Sequence, residues 1–236
     1  MAHRCSRSLT IAAAVLCSNL FLPAQSTRVQ DLGIGKLLVA RRDSRDPVFA
    51  ETVILLVRYD HDGTLGLAIN RGTSLPISRA LQSLKGTAGR SDPIYLGGPV
   101  EPQNILALLK ANTMPDGATH VSGKIYLLST KLLLEKTLAG QAGPAAFRVY
   151  LGYCGWGPGQ LENEAGQGFW HIFAGDANLV FDSEPDTLWS RLIAHVGQRI
   201  AQERLPAIIA PEPAILQVTR TAAKNPPAQT AWQPAR

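Results

Sequence analysis

Short apolar runs, separated by glycine, proline and polar turns, follow one another from Gly33 onward. Runs of this length that are rich in β-branched residues predict strands, so we expect strands at Lys36–Ala40, Thr52–Tyr59 and Thr64–Asn70. The last two runs are joined by residues 60–63, which end in an Asp-Gly pair. Because glycine accepts the positive φ of a tight turn, this pair predicts that the two strands form an antiparallel hairpin.

The rest of the chain alternates strands with short helices. The pattern predicts further strands at Pro93–Leu96, Lys124–Ser129, Phe147–Tyr153, Trp170–Ala174 and Leu179–Phe181. It predicts helices from just after Ser74 to 84 with Pro76 in the first turn, at 103–111 after Pro102, at Lys131–Ala139, and from Asp182 or Ser183 to near Gly197. Antiparallel hairpins mixed with separate helices favour a single α+β domain over a doubly wound sheet.

The first 26 residues have the anatomy of a Sec signal peptide. A basic start is followed by an apolar stretch from Leu9 to Leu22 and a small-residue pattern that predicts cleavage after Ser26. The apolar stretch is too short and too interrupted for a membrane span, so we expect no transmembrane span in the mature chain and a periplasmic or secreted location. The alternatives are an uncleaved anchor, a lipoprotein acylated at Cys17, or a misassigned start codon. In the last case the true start lies near Val29 and the location is cytoplasmic.

The other end of the chain is rich in proline. Residues 205–236 contain six prolines among Ala, Thr and Gln, which predicts a flexible tail. The expected organisation is therefore a leader at 1–26, a domain at 27–204 and a tail at 205–236. After cleavage the chain keeps only Cys154, which excludes an intramolecular disulfide and a cysteine-based zinc site.

The net charge of +5 belongs mostly to the two ends. Residues 1–26 contribute +2 and residues 205–236 another +2, which leaves +1 for residues 27–204. A protein that binds nucleic acid through its phosphates concentrates Lys and Arg on one face. The domain has no basic run beyond Arg41, Arg42 and Arg45, so we do not expect a nucleic-acid partner.

One dense motif, GYCGWGPGQLENE at residues 152–164, contains four glycines in its first eight residues. Such a segment lets a strand turn sharply, and Pro158 suits the first turn of a short helix that carries Glu162 and Glu164. The motif lacks the spacing of nucleotide-binding loops. Two interpretations stay open: a tight structural corner with Trp156 packed on the core and the glutamates near a helix N-terminus, or a binding site for an unknown ligand.

The residues that could carry catalysis are not arranged in any recognisable pattern. Cys154 has four histidines as imaginable bases, but nothing in the sequence places one beside it. The acidic hairpin turn at 60–62 resembles metal ligands only in composition, and Glu162 and Glu164 face different directions on a helix. We therefore predict no catalytic residue, no metal and no cofactor.

Six segments in order carry a family resemblance. They are GKLLVA (35–40), DPVFAETVILL (46–56), DGTLGLAINR (62–71), YLGGPV (95–100), LLSTKLLLE (127–135) and GYCGWGPGQLENE (152–164). Over about Leu32 to Gly197 the chain resembles the AlgH/YqgE family, also called UPF0301 or DUF179. The resemblance implies a compact α+β fold, with a twisted, mostly antiparallel sheet that forms a partly closed barrel with flanking short helices. The resemblance also implies a role that has been proposed for this family, the regulation of transcription, and no settled enzymatic activity.

The chain departs from the family pattern at three points. Cys154 stands where the motif usually has Ala, the stretch after Val100 lacks a histidine, and a leader precedes what is usually a cytoplasmic protein. An exported protein would not meet the chromosome, so the leader weakens a transcriptional role.

These observations lead to one functional hypothesis and one alternative. The hypothesis is a non-enzymatic regulatory or binding protein with an unknown protein or small-molecule partner; the alternative is an enzyme of unknown type with its site at Gly152–Glu164. The candidate ligand-binding residues share a position where strands end in glycine or polar residues. They are Asn70, Arg71, Gly97, Gly98, Pro99, Gly155, Trp156, Gly157, Pro158, Gly159, Gln160 and Glu162.

Overall fold

A computed structural model describes residues 29–44, 46–140 and 142–204, with side chains through Val196. The leader at 1–26 and the tail at 205–236 lie outside the described residues. The chain divides after Gly197 into two compact units, and the sheet lies in the first. None of the helices in the described ranges is both long and apolar enough to cross a membrane.

The described residues form ten strands and five helices. The strands are β1 (Lys36–Ala40), β2 (Val53–Asp60), β3 (Gly63–Ala68), β4 (Gly72–Pro76), β5 (Pro93–Leu96), β6 (Val100–Lys110), β7 (Thr119–Ser122), β8 (Ile125–Leu128), β9 (Phe147–Trp156) and β10 (Trp170–Ala174). The helices are α1 (Ile77–Ala80), α2 (Lys131–Ala139), α3 (Gln160–Gly166), α4 (Ala177–Val180) and α5 (Pro185–Arg204).

The strands form one curled sheet in the order β10-β1-β2-β3-β9-β6-β8-β7, in which neighbours are antiparallel. Strand β5 lies off this path, parallel to β9 and antiparallel to β4. The curl makes a half-barrel, which confirms the α+β fold with a mostly antiparallel, partly closed sheet. Strand β9 is the hub, because β3, β5 and β6 all pair with it.

Both faces of the sheet are covered, which explains the continuous apolar run in β2. Leu55 packs in one core cluster with Leu188 and Leu192 of α5, whereas its neighbours Ile54 and Leu56 pack on the opposite face with α3. A strand buried on both sides gains nothing from alternating polar residues. The hydrophobic pattern therefore identifies β2 without indicating which face would meet which helix.

The expected helix at 103–111 is wrong, since these residues belong to strand β6. The segment QNILALLKA has good helix formers, but Ile105–Leu109 pairs antiparallel with Leu151–Phe147 of β9 and its far end with β8. A segment that fills a gap between two strands adopts the strand conformation whatever its intrinsic preference. Pro102 lies where the register with β9 shifts, between Val100 and Ile105, so it removes no ladder hydrogen bond.

Other differences concern short elements. The expected strand at Leu179–Phe181 is wrong, because Asp176 caps helix α4 by accepting from the backbone N–H of Asn178 (2.7 Å) and Leu179 (3.1 Å). The helix expected from just after Ser74 to 84 spans only Ile77–Ala80, and Pro76 is its N-cap and the last residue of β4 rather than part of its first turn. The last helix continues past Gly197 to Arg204. Strands β4 and β7, which the pattern did not predict, are four or five residues long and largely exposed.

Candidate functional site

The turn Gly97–Pro99 is inserted between strands that belong to different parts of the sheet. The carbonyl of Gly97 accepts from the N–H of Ala68 at the end of β3 (2.8 Å), and its own N–H donates to the carbonyl of Leu151 in β9 (2.8 Å). The turn thus fixes the end of β5 against both β3 and β9, and it brings two of the predicted segments, Asn70–Arg71 and Gly97–Pro99, to one place.

Three glycines allow this crossing because their backbones touch. A Cβ at Gly97 would lie 2.3 Å from the carbonyl oxygen of Gly152, and one at Gly98 would lie 2.2 Å from the carbonyl carbon of Tyr153. Gly152 itself has a φ of +67°, and a Cβ there would lie 2.5 Å from the carbonyl oxygen of Gly98. No side chain fits at these positions, so the chain needs glycine here for the fold itself.

A cleft of about 430 Å³ opens beside this crossing. Its walls are mostly apolar, with Val48, Leu96 and Leu151 among the residues that line it, and Arg71 supplies the charged group. Leu96 is 50% exposed and Val48 45% exposed, so both stand at the open rim. The segment 46–52 forms one wall, and Asn70 holds that wall in place.

Asn70 fixes the wall through its side chain. Its Oδ1 accepts from the N–H of Val53 (2.8 Å) and its Nδ2 donates to the carbonyl of Glu51 (2.9 Å), so the buried amide is anchored to the backbone of the wall at both atoms. Glu51 adopts a positive φ of 55°, which is uncommon for a residue with a side chain. Asn70 therefore shapes the cleft by holding this backbone in place.

Arg71 contributes the positive charge of the cleft. The half-buried guanidinium donates from Nη2 to the hydroxyl oxygen of Thr52 (2.6 Å) and to the carbonyl of Ala50 (3.1 Å). Among the described carboxylates, none forms an ion pair with it. The cleft therefore combines apolar walls with a cation that is not neutralised by a neighbouring acid.

Cys154 closes the bottom of the cleft. The side chain is 1% exposed and its thiol donates to the carbonyl of Gly97 (3.3 Å). Burial raises the pKa of this thiol to about 12, although the charge of Arg71 acts in the opposite direction. At neutral pH the sulfur is protonated, and a thiol in that form is a poor nucleophile.

The remaining predicted residues, Gly155–Glu162, lie at the far end of β9 and do not line the cleft. Trp156 is buried, and its indole N–H donates to Glu164 (3.0 Å), which also accepts from the indole of Trp170 (2.9 Å). Phe49 stacks on Trp156 with ring centroids 6.3 Å apart. This aromatic cluster separates the corner from the cleft.

The residues Gly157, Pro158, Gly159 and Gln160 form the exposed part of this corner. Helix α3 begins at Gln160 after Gly159, so Pro158 precedes the helix and does not occupy its first turn as expected. Burial, together with the nearby carboxylate of Glu162, raises the pKa of Tyr59 to about 12. The geometry of the corner is explained by contacts within the chain.

Comparisons with known proteins show the family of this chain. A sequence model described as AlgH-like (DUF179) matches residues 37–201. A UPF0301 protein from Methylococcus capsulatus is 34% identical over 69% of this chain and 91% of its own length, and one from Caulobacter vibrioides is 35% identical over 70% and 87%. The chain belongs to the AlgH-like family, UPF0301.

Solved structures of the family share the fold. The solution structure of the AlgH protein from Pseudomonas aeruginosa is 28% identical, covers 73% of this chain and 93% of its own, and superposes with a TM-score of 0.58. A protein from Corynebacterium diphtheriae is 19% identical, with a TM-score of 0.59 over 70% and 87%, and shares the fold alone. All the residues that line the cleft of this AlgH-like chain fall inside the matched range.

A second cavity of about 460 Å³ lies on the other side of Phe49, beside α3. Its main charged groups already have partners. Arg41 forms two hydrogen bonds with Asp43 (2.9 and 3.0 Å), and Glu164 accepts from two indoles. The arginine of this cavity of the AlgH-like fold is thus neutralised by a carboxylate, whereas Arg71 has no carboxylate partner among the described residues, so the cleft at Arg71 is the stronger candidate for a site.

Metal ligation finds no support in the same part of the molecule. In the described ranges of this AlgH-like chain, His, Cys, Asp and Glu side chains do not come together in groups of three or more. His61 lies at the exposed hairpin turn, 3.4 Å from Asp62.

The sequence did not single out the apolar walls of the cleft. Val48 and Phe49 form an apolar pair in a loop between acidic residues. Because loops seldom expose two adjacent large apolar side chains to solvent, this pair could have indicated a binding surface. Leu96 and Leu151 lie in strands and look like ordinary core residues in the sequence. Only the register of β5 and β9 shows that Leu96 ends at the surface.

Proposed function

We propose that this AlgH-like protein is a non-enzymatic binding protein whose ligand occupies the cleft between the 46–52 segment and the Gly97–Pro99 turn. The observation that carries the proposal is an open cleft of about 430 Å³ with apolar walls held by fixed backbone. This volume lies in the range of sites for small molecules, and such sites are mostly apolar with a few placed polar groups. A regulatory role would follow from the presence or absence of the ligand.

Binding suits the cleft better than catalysis does. Its lining includes two titratable side chains, the permanently charged Arg71 and the protonated thiol of Cys154. A general base or an activated nucleophile needs a group that changes its protonation near neutral pH, and these two do not. The contacts within the 155–164 corner also give no reason to place an enzyme site there.

The test uses a neutral apolar probe, 1-octanol, and the full chain labelled with ¹⁵N. We expect its chemical-shift changes to map to Val48, Ala68, Leu96 and Leu151. Leu96→Ser, at the half-exposed rim, should weaken binding about fivefold because part of an apolar contact is lost. Leu132→Ser is the matched control, since Leu132 is 79% exposed on α2, away from the cleft.

Two outcomes would contradict the proposal. Shift changes that cluster around Phe169 and Trp170 would place binding in the second cavity. An absence of saturable changes up to the solubility of 1-octanol would show that the cleft does not bind apolar molecules.

We also propose that the protein is exported, on the basis of the leader-like residues 1–26. Mass spectrometry of the mature N-terminus in fractionated cells tests this. An N-terminus at Thr27 in the periplasmic or extracellular fraction supports export. An intact chain in the cytosol contradicts it and would return a cytoplasmic regulatory role to consideration.

A further inference from the structure

The charge of the cleft has one sign. Its lining contains the guanidinium of Arg71 and no acidic side chain. Other arginines with little exposure are satisfied inside the protein: Arg90 pairs with Asp92 and donates to backbone carbonyls, and Arg148 donates to three backbone carbonyls. Arg71 is different, because its hydrogen bonds with the described residues all come from a single nitrogen, Nη2.

The unused capacity of Arg71 is on the remaining nitrogens. Nη2 donates to Thr52 and Ala50, which anchors the group, and no hydrogen bond of Nε or Nη1 is formed with the described residues. An anchored guanidinium loses little side-chain entropy when it binds, and its planar fork matches a carboxylate. The neighbouring apolar walls lower the local dielectric, which strengthens such a pair.

We infer that the cleft takes an amphipathic anion, a molecule with a carboxylate that pairs with Arg71 and an apolar body that lies against Val48, Leu96 and Leu151. This inference rests on the proposed function and names the chemical class of its ligand. The carboxylate supplies the negative charge that would pair with Arg71, and the apolar body covers the apolar walls that are exposed to water at the rim.

The experiment compares octanoate with 1-octanol, two unbranched eight-carbon molecules that differ only in the group at one end, by titration of the full-length protein at pH 7. Octanoate should bind about tenfold more tightly, the effect of one charge-assisted pair at a half-exposed site. In Arg71→Gln, octanoate should bind no more tightly than 1-octanol binds to the same variant. Arg71→Lys, which keeps the charge without the fork, should retain part of the preference.

The control is Arg79→Gln, which removes an exposed arginine on α1 and should change neither affinity. Equal affinities of the two probes for the wild-type protein would overturn the inference and leave the proposed function standing. A preference for octanoate that survives in Arg71→Gln would also overturn it. If neither probe binds the wild-type protein, the proposed function itself fails.

Discussion

Burial decides what individual residues of this protein can do. The domain contains one cysteine, Cys154. Because it lies at the end of a predicted strand, we expect it to be a small buried residue rather than a nucleophile. The structure adds the reason, since the thiol donates to Gly97 and has a pKa raised to about 12. One of the two interpretations of the 152–164 motif packs Trp156 on the core, and Trp156 is buried in the structure. Neither interpretation predicts that Glu164 accepts from the indoles of Trp156 and Trp170, because this contact depends on how α3 returns to β10.

The thiol of Cys154 makes stability depend on alkaline pH. The folded-state pKa is raised above the unfolded value, so the contribution is fully present below about pH 9 and is lost as the pH rises toward 12. Between pH 7 and pH 10, the free energy of unfolding of the wild type should fall by about 1 kcal/mol more than that of Cys154→Ala. Urea denaturation at both pH values measures this, and a constant difference would contradict the burial.

A second prediction concerns a hydroxyl without a partner. The side chain of Tyr150 is fully buried, and its OH finds no hydrogen-bond partner in the described part of the protein. Removing an unsatisfied buried polar group costs nothing, so Tyr150→Phe should leave the free energy of unfolding unchanged or raise it. Thr73→Val is the control and should lose about 1 kcal/mol, because the Thr73 hydroxyl donates to the carbonyl of Ile94 (2.8 Å). A loss of more than 1 kcal/mol in Tyr150→Phe would refute the assignment.

At the scale of elements, the sequence predicts the bounds of a strand or helix best where turn or capping residues mark both of its ends. The bounds of β1, β5, β10 and α2 agree with the pattern, because turn or capping residues mark their ends; Thr130, for instance, caps α2 through Leu133. The prediction failed at β6, where helix-forming residues fill a gap between β8 and β9. Strand pairing over long sequence distances is not visible in local periodicity.

The crossing of β5, β6 and β9 gives an element-scale prediction. Gly152→Ala should destabilise the protein by at least about 2 kcal/mol, since the residue has positive φ and its Cβ would overlap the carbonyl oxygen of Gly98. Gly157→Ala, in the same motif, should change stability by less than about 0.5 kcal/mol, because nothing lies within 4 Å of its Cβ. Thermal unfolding of both variants measures this difference. Equal losses of stability in the two variants would contradict the close backbone contact at Gly152.

At the scale of the whole molecule, the candidate site is made by segments far apart in the sequence. Arg71 and the Gly97–Pro99 turn were predicted because they end strands, but Leu151 was not. The 155–162 corner was grouped with them because it is equally rich in glycine, whereas the curl of the sheet places it beyond the aromatic cluster of Trp156. Sequence composition shows which backbones can turn, and only the sheet topology shows which turns meet.

The most direct test of the account is an intermolecular nuclear Overhauser measurement on the full chain with octanoate bound. The account predicts contacts from the alkyl chain of octanoate to the methyl groups of Val48, Leu96 and Leu151, with the carboxylate end near Arg71. Contacts to Phe169 and Trp170 in the second cavity, or no intermolecular contacts at saturating octanoate, would contradict it.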